Sequence, residues 1–137
     1  MNRRPAPMCA PAIRQKPPFQ FVGDISRFIS DDRVEMHLSD DWCRADIVGD
    51  LFPNILLLEA FAQAAATLST LRSDGGIGYV TRITDGAFPA PRYSASAVIV
   101  CAQLLGQAGR SSSYACHARQ GGRLIAVARL ETIRTQS

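Results

Sequence analysis

The chain has 137 residues, 47% of them hydrophobic and 20% charged, with a formal net charge of +3. One domain of this length holds a hydrophobic core without staples, and the weak positive balance, much of it from Arg3, Arg4, Arg14 and Lys16, argues against a nucleic-acid partner. The cysteines at 9, 43, 101 and 116 show no C-x-x-C spacing and the histidines, His37 and His117, stand far apart, so the sequence asks for no metal or other cofactor and reads as a cytoplasmic protein with reduced thiols.

Residues 1–16 are rich in Pro and Ala and carry four cations without an acid, which reads as a mobile basic arm. They lack the apolar core of a signal peptide, and no segment of the chain is long and apolar enough for a membrane span. Order is expected from Pro17-Pro18 onward as a single domain over 17–137, with Phe19 to Val22 extended. Ile25 to Ile29 and Arg33 to Leu38 then read as a hairpin joined at Ser30-Asp31-Asp32. A polar loop follows from Ser39 to Asp50, anchored by Trp42.

From about Asn54 to Arg72 the residues are apolar on every side, so the pattern predicts a helix buried all round, with Pro53 in its first turn and Ser73-Asp74-Gly75-Gly76 ending it. The last third changes period. Ile77 to Ile83, Ala97 to Gln107, Ser111 to Arg119 and Arg123 to Ile133 read as strands, the last two joined by a tight turn at Gln120-Gly121-Gly122. In the final strand Leu124, Ala126, Ala128 and Leu130 are expected on one face. A long helix among antiparallel strands gives an α+β class. One sheet of this size leaves part of the helix uncovered, so a second subunit is expected to complete the cover.

Two polar side chains interrupt the apolar helix, Glu59 and Gln63, one turn apart on one face. An apolar setting raises a carboxyl's pKa, and a carboxyl kept protonated near neutrality can act as a general acid. A solvated edge, with Gln63 satisfying the carboxylate, accounts for the same pair equally well.

The run Pro53-Asn54-Ile55-Leu56-Leu57-Leu58-Glu59-Ala60-Phe61-Ala62-Gln63-Ala64-Ala65 resembles the central helix of the hotdog-fold 3-hydroxyacyl-acyl-carrier-protein dehydratases, in which Pro-Gly leads into aliphatics, then Glu-Ala, then Ala-Gln-Ala. Pro18 to Ile25 is similar to that family's opening segment, and Phe88 with Pro91 to its Phe-x-x-Pro element. The resemblance spans 17 to about 133. It implies a hotdog domain in which an antiparallel sheet wraps the central helix, working as a homodimer or heterodimer in fatty-acid or polyketide-type synthesis. It also implies a lyase acting on acyl-phosphopantetheine carried by acyl carrier protein. Glu59 would be the general acid and Gln63 its orienter. Asn54, Ile55 and Leu56 would bind the thioester carbonyl through main-chain amides, with Pro53 and Phe88 also lining the substrate site.

The family's His base falls on Ala45 here, and its helix-leading Gly on Asn54. Three arrangements answer this. The base can come from His37, Asp46 or Asp50, since the aryl-polyene branch approaches its Glu by a Gly-x-x-Pro segment without the long His segment, a shape that Gly49 to Glu59 resembles with one extra residue between Asp50 and Phe52. The chain can be a silent subunit beside an active hotdog partner. It can also bind acyl thioesters without turnover, or act as a thioesterase. His37 lies opposite Val34, Met36 and Leu38 in its strand, where a solvent-facing role competes with catalysis. His117 reads as surface, and Cys43 and Cys101 as packing residues.

Overall fold

A computed structural model of the chain describes residues 22–29, 32–38, 52–53, 56–72, 77–87, 92–93 and 98–135. The arm at 1–16, residues 19–21, the loop with Trp42, Asp46 and Asp50, the helix-ending segment 73–76, and Asn54, Ile55, Phe88 and Pro91 lie outside the described residues.

The hairpin consists of β1 (Val22–Ile29) and β2 (Arg33–Leu38). A two-residue strand β3 (Phe52–Pro53) precedes helix α1 (Leu56–Leu71). Then come β4 (Ile77–Ala87), β5 (Arg92–Tyr93), β6 (Val98–Ala108), β7 (Ser111–Gln120) and β8 (Arg123–Thr135). Six strands form one antiparallel sheet in the order β1-β2-β6-β7-β8-β4, while β3 and β5 pair with each other. The turn between β7 and β8 uses Gly121 and Gly122 at φ of 57° and 79°. A two-residue hairpin loop needs left-handed backbone at both positions, and glycine adopts it without steric cost.

Helix α1 lies across one face of the sheet, chiefly on β6 and β2. Strand alternation sends Val34, Met36 and Leu38 of β2, Val98, Val100 and Ala102 of β6, and Tyr114, Cys116 and Ala118 of β7 to that inner face. The helix meets them with Leu57, Ala60, Phe61, Ala64, Ala65 and Leu68, all buried. The alanines let the helix approach closely, and truncating Phe61 there would cost about 3–5 kcal/mol.

Part of the helix is left uncovered by the sheet of its own chain: Glu59, Ala66 and Thr70 are exposed and Leu58, Ala62 and Ser69 half-buried, forming one outward stripe at helical spacing. Three expectations are corrected. Pro53 is not in the first helical turn. It pairs with Arg92 in the small sheet, and the helix starts at Leu56. Leu124 does not share the inner face of β8. Ala118 pairs with Ala126 but Arg119 with Leu124, so Ile125 is an extra residue in a β-bulge. The bulge breaks the alternation, leaving Leu124 44% exposed and Ile125 2%. Finally, β4 does not stop at Ile83. It passes Asp85, which takes φ of 54°, and regains pairing at Ala87 with Val127. An irregularity between Thr84 and Ala87 absorbs Asp85 and Gly86.

Candidate functional site

The outward stripe of α1 carries Glu59, buried Gln63 lies one turn on, and the structure brings their side chains together. Gln63 Nε2 donates to Glu59 Oε1 at 3.1 Å. Gln63 itself is 2% exposed, and its Oε1 accepts the main-chain N–H of Val22 at 3.3 Å. Thr67, fully buried one turn further on, donates its hydroxyl to the main-chain carbonyl of Gln63 at 2.9 Å. A buried amide thus links the start of β1 to a carboxylate at the helix surface. Glu59 is exposed, so the apolar surroundings expected of it are not supplied by its own chain.

Leu56, expected among the thioester-binding residues, is the first residue of α1, and Pro53 lies just ahead of it in β3. His37, a candidate base, lies on the other side of the sheet from the Glu59 of its own chain. It alternates away from buried Val34, Met36 and Leu38 and is exposed on the sheet face opposite the helix. His117 also lies on that outer face, between inward Cys116 and Ala118. The chain has two histidines, so neither reaches the helix side of its own sheet.

A second polar assembly occupies the centre of the outer face. In register across the strands, Glu35 of β2 pairs with Cys101 of β6, and Cys101 with His117 of β7. The Glu35 side chain is only 3% exposed. It accepts from Arg119 Nη2 at 2.9 Å and from Arg33 Nη2 at 3.2 Å, guanidiniums that are themselves about a third exposed. Arg119 Nη1 also lies 3.3 Å from His117 Nε2. Burial alone would raise the Glu35 carboxyl, but the hydrogen bond and charge of Arg119, with Arg33 behind them, outweigh it and hold the group below its ordinary range. Burial, reinforced by the charges of Arg119 and Arg33, keeps His117 below its usual value. Burial pushes the Cys101 thiol up despite Arg33, and pushes Cys116 far up, so both sulfurs stay as inert thiols.

Strand alternation puts Glu35 beside His37 on the outer face of β2 but gives no sign of its burial, which comes from Arg33 and Arg119 on the same face. Among the described residues no group of three or more His, Cys, Asp or Glu is placed to hold a metal ion, and no helix is long and apolar enough to cross a membrane.

No family model and no curated protein matches the chain. Solved structures do match. The dehydratase heterocomplex ApeI:P from Xenorhabdus doucetiae gives a TM-score of 0.74 at 16% identity, covering 99% of this chain and 94% of that one. AziG from S. sahachiroi gives 0.65 at 18% identity, covering 83% and 91%. A hypothetical thioesterase with coenzyme A from Streptococcus pneumoniae gives 0.63 at 12% identity, covering 83% and 86%. At these identities the likeness shows the fold: the chain has the hotdog fold, which among its neighbours serves a dehydratase and thioesterases alike.

Proposed function

We propose that this hotdog chain is a subunit of a dehydratase acting on 3-hydroxyacyl thioesters of acyl carrier protein, with Glu59 as the general acid. The observation that carries the reading is an exposed carboxylate on the outward stripe of α1 held by a buried amide. In the elimination, a base takes the proton on the carbon next to the thioester. The freed electron pair forms the double bond, the carbon–oxygen bond breaks, and Glu59 protonates the departing hydroxyl as water. Glu59 is left as carboxylate and regains its proton from the base. Main-chain amides at the start of α1, from Asn54 to Leu56, would polarise the thioester carbonyl, since a helix start presents unpaired N–H groups. Phe88 would stand near the acyl chain.

A second subunit fits this reading. The sheet ends on β4, whose Tyr79, Val80 and Ile83 are 54%, 39% and 47% exposed. A long edge strand with apolar side chains offers backbone pairing to another chain. The same neighbour would cover the outward stripe of α1 and supply the dry setting in which a carboxyl acts as an acid.

One observation favours a second reading: both histidines lie on the far side of the sheet from Glu59. The chain would then be the silent half of a heterodimer whose other hotdog subunit carries the base. The test is to incubate the purified chain with a 3-hydroxyacyl carrier protein and follow intact mass. Loss of one water supports the dehydratase. Turnover that needs an added hotdog partner supports the silent subunit. Release of the free acid would overturn both in favour of a thioesterase.

A further inference from the structure

We propose that the main-chain N–H of Val22, acting through Gln63, fixes which oxygen of Glu59 carries the transferable proton, namely Oε2. The inference rests on Glu59 as the acid and adds to it a positioning device in the first strand.

A carboxamide is asymmetric, with an oxygen that only accepts and an NH2 that only donates. The N–H of Val22 can only donate, and it points at the Gln63 amide from 3.3 Å. The amide oxygen must therefore face Val22. That bond is long, but its direction rather than its strength sets the polarity. A flipped amide would turn NH2 toward N–H, two donors face to face, and would forfeit this hydrogen bond, a loss of about 1 kcal/mol before their repulsion. Gln63 is 2% exposed, so bulk water is not at hand to relieve such a flip. The NH2 group consequently faces Glu59, where Nε2 lies 3.1 Å from Oε1.

An NH2 donor needs a lone pair opposite it. Oε1 must accept, and a protonated Glu59 must hold its hydrogen on Oε2. With the opposite polarity the carboxyl proton would be drawn to Oε1 and tied up in a hydrogen bond to the amide oxygen. The lock also acts as the proton leaves. Negative charge grows on the carboxylate, and the bond from Gln63 becomes charge-assisted and stronger. An interaction that strengthens toward the transition state raises kcat without tightening ground-state binding. Val22 is suited to set the polarity because it is itself buried and paired with Leu38 in the sheet.

Two measurements on the full chain test this. The first needs no turnover: the side-chain NH2 protons of Gln63 are followed by 15N-resolved NMR. The proposal expects exchange at least about tenfold slower than for exposed glutamine amides, with resonances that move in Glu59→Gln. Val22→Pro deletes the N–H at the first residue of an edge strand, a position where proline is tolerated, and should abolish that protection. The second is kinetic. Gln63→Glu keeps an acceptor for Val22 but puts an oxygen where the donor was, and should lower kcat by about 100-fold with KM within about twofold. Val22→Pro should lower kcat in the same way by about tenfold. Gln63 protons that exchange freely and ignore Glu59→Gln would overturn the proposal, even if Val22→Pro fails to fold. A folded Val22→Pro with unchanged kcat would overturn it too. Turnover that survives Glu59→Gln, in the chain alone or with an added hotdog partner, would sink Glu59 as the acid, while the NMR result would still decide the polarity.

Discussion

Two carboxylates define two regions of this molecule. Glu59 sits on the outward stripe of α1, exposed, with one neutral donor from Gln63. Glu35 sits on the outer face of the sheet, nearly covered, between two guanidiniums. The helix is the more apolar segment, yet its acid is the wetter of the two. The charged row on the sheet is the drier place because Arg33 and Arg119 lie over Glu35 and answer both of its oxygens. Apolar sequence around an acid therefore does not bury it, while charge partners can, because a buried ion is tolerated when its lone pairs are met. The region with complete partners reads as structural and the region with an open side reads as the site.

The largest expected effect separates the two directly. Glu59→Gln should lower dehydration about 100- to 10,000-fold, the range general acids supply, while leaving the urea unfolding midpoint in place because the side chain is exposed. Turnover that survives the change would remove Glu59 from the chemistry. Glu35→Ala should do the reverse. It leaves two guanidiniums facing each other without their anion and should cost about 2–3 kcal/mol of stability, less than a fully buried pair because the arginines are partly solvated. Turnover per folded molecule should hold. Ile83→Lys on the exposed edge of β4 should weaken self-association by about tenfold or more in sedimentation experiments, since charge on an edge strand blocks pairing. Unchanged association would move the partner away from that edge.

The pH dependence of stability sharpens the same contrast. The Glu35 carboxyl is held low in the folded chain, so its contribution is complete above the unfolded value of about 4.3 and is lost as pH falls through the lower folded value. The imidazole of His117 is also held low, so the folded chain resists its protonation, and stability starts to fall as pH drops through about 6.5. Both act in one direction, giving two steps of acid destabilisation. In urea titrations at each pH, His117→Gln should remove the upper step and Glu35→Gln the lower. A single step that neither variant alters would place the acid sensitivity elsewhere. The smallest effect is expected from His37→Ala, which should leave turnover within about twofold because the side chain is exposed on the sheet face opposite the helix that carries Glu59. A large loss would bring the outer sheet face into the chemistry and erase the distinction between the regions.

Much of this was legible in the order of residues. Alternation in Val34, Met36 and Leu38 assigned the faces of β2, and the two glycines at 121 and 122 marked the last turn. The i, i+4 spacing of Glu59 and Gln63 placed them together, because that interval returns to one helix face. Leu124 and Ile125 exchanged roles because a bulge adds a residue that no period-two count contains. Pro53 serves a strand pair rather than a helix start, since its partner Arg92 is distant in sequence.

By itself, then, the sequence determined the local elements, their inward faces and the Glu59–Gln63 pair, because these depend on periodicities of two and of 3.6 residues. Tertiary structure alone decided which carboxylate is buried. Burial depends on what lies above a side chain, and for Glu35 that cover is Arg33 from its own strand and Arg119 from a strand far along the chain. It likewise decided that the N–H of Val22 meets Gln63 across 41 positions of sequence to orient the amide beside Glu59.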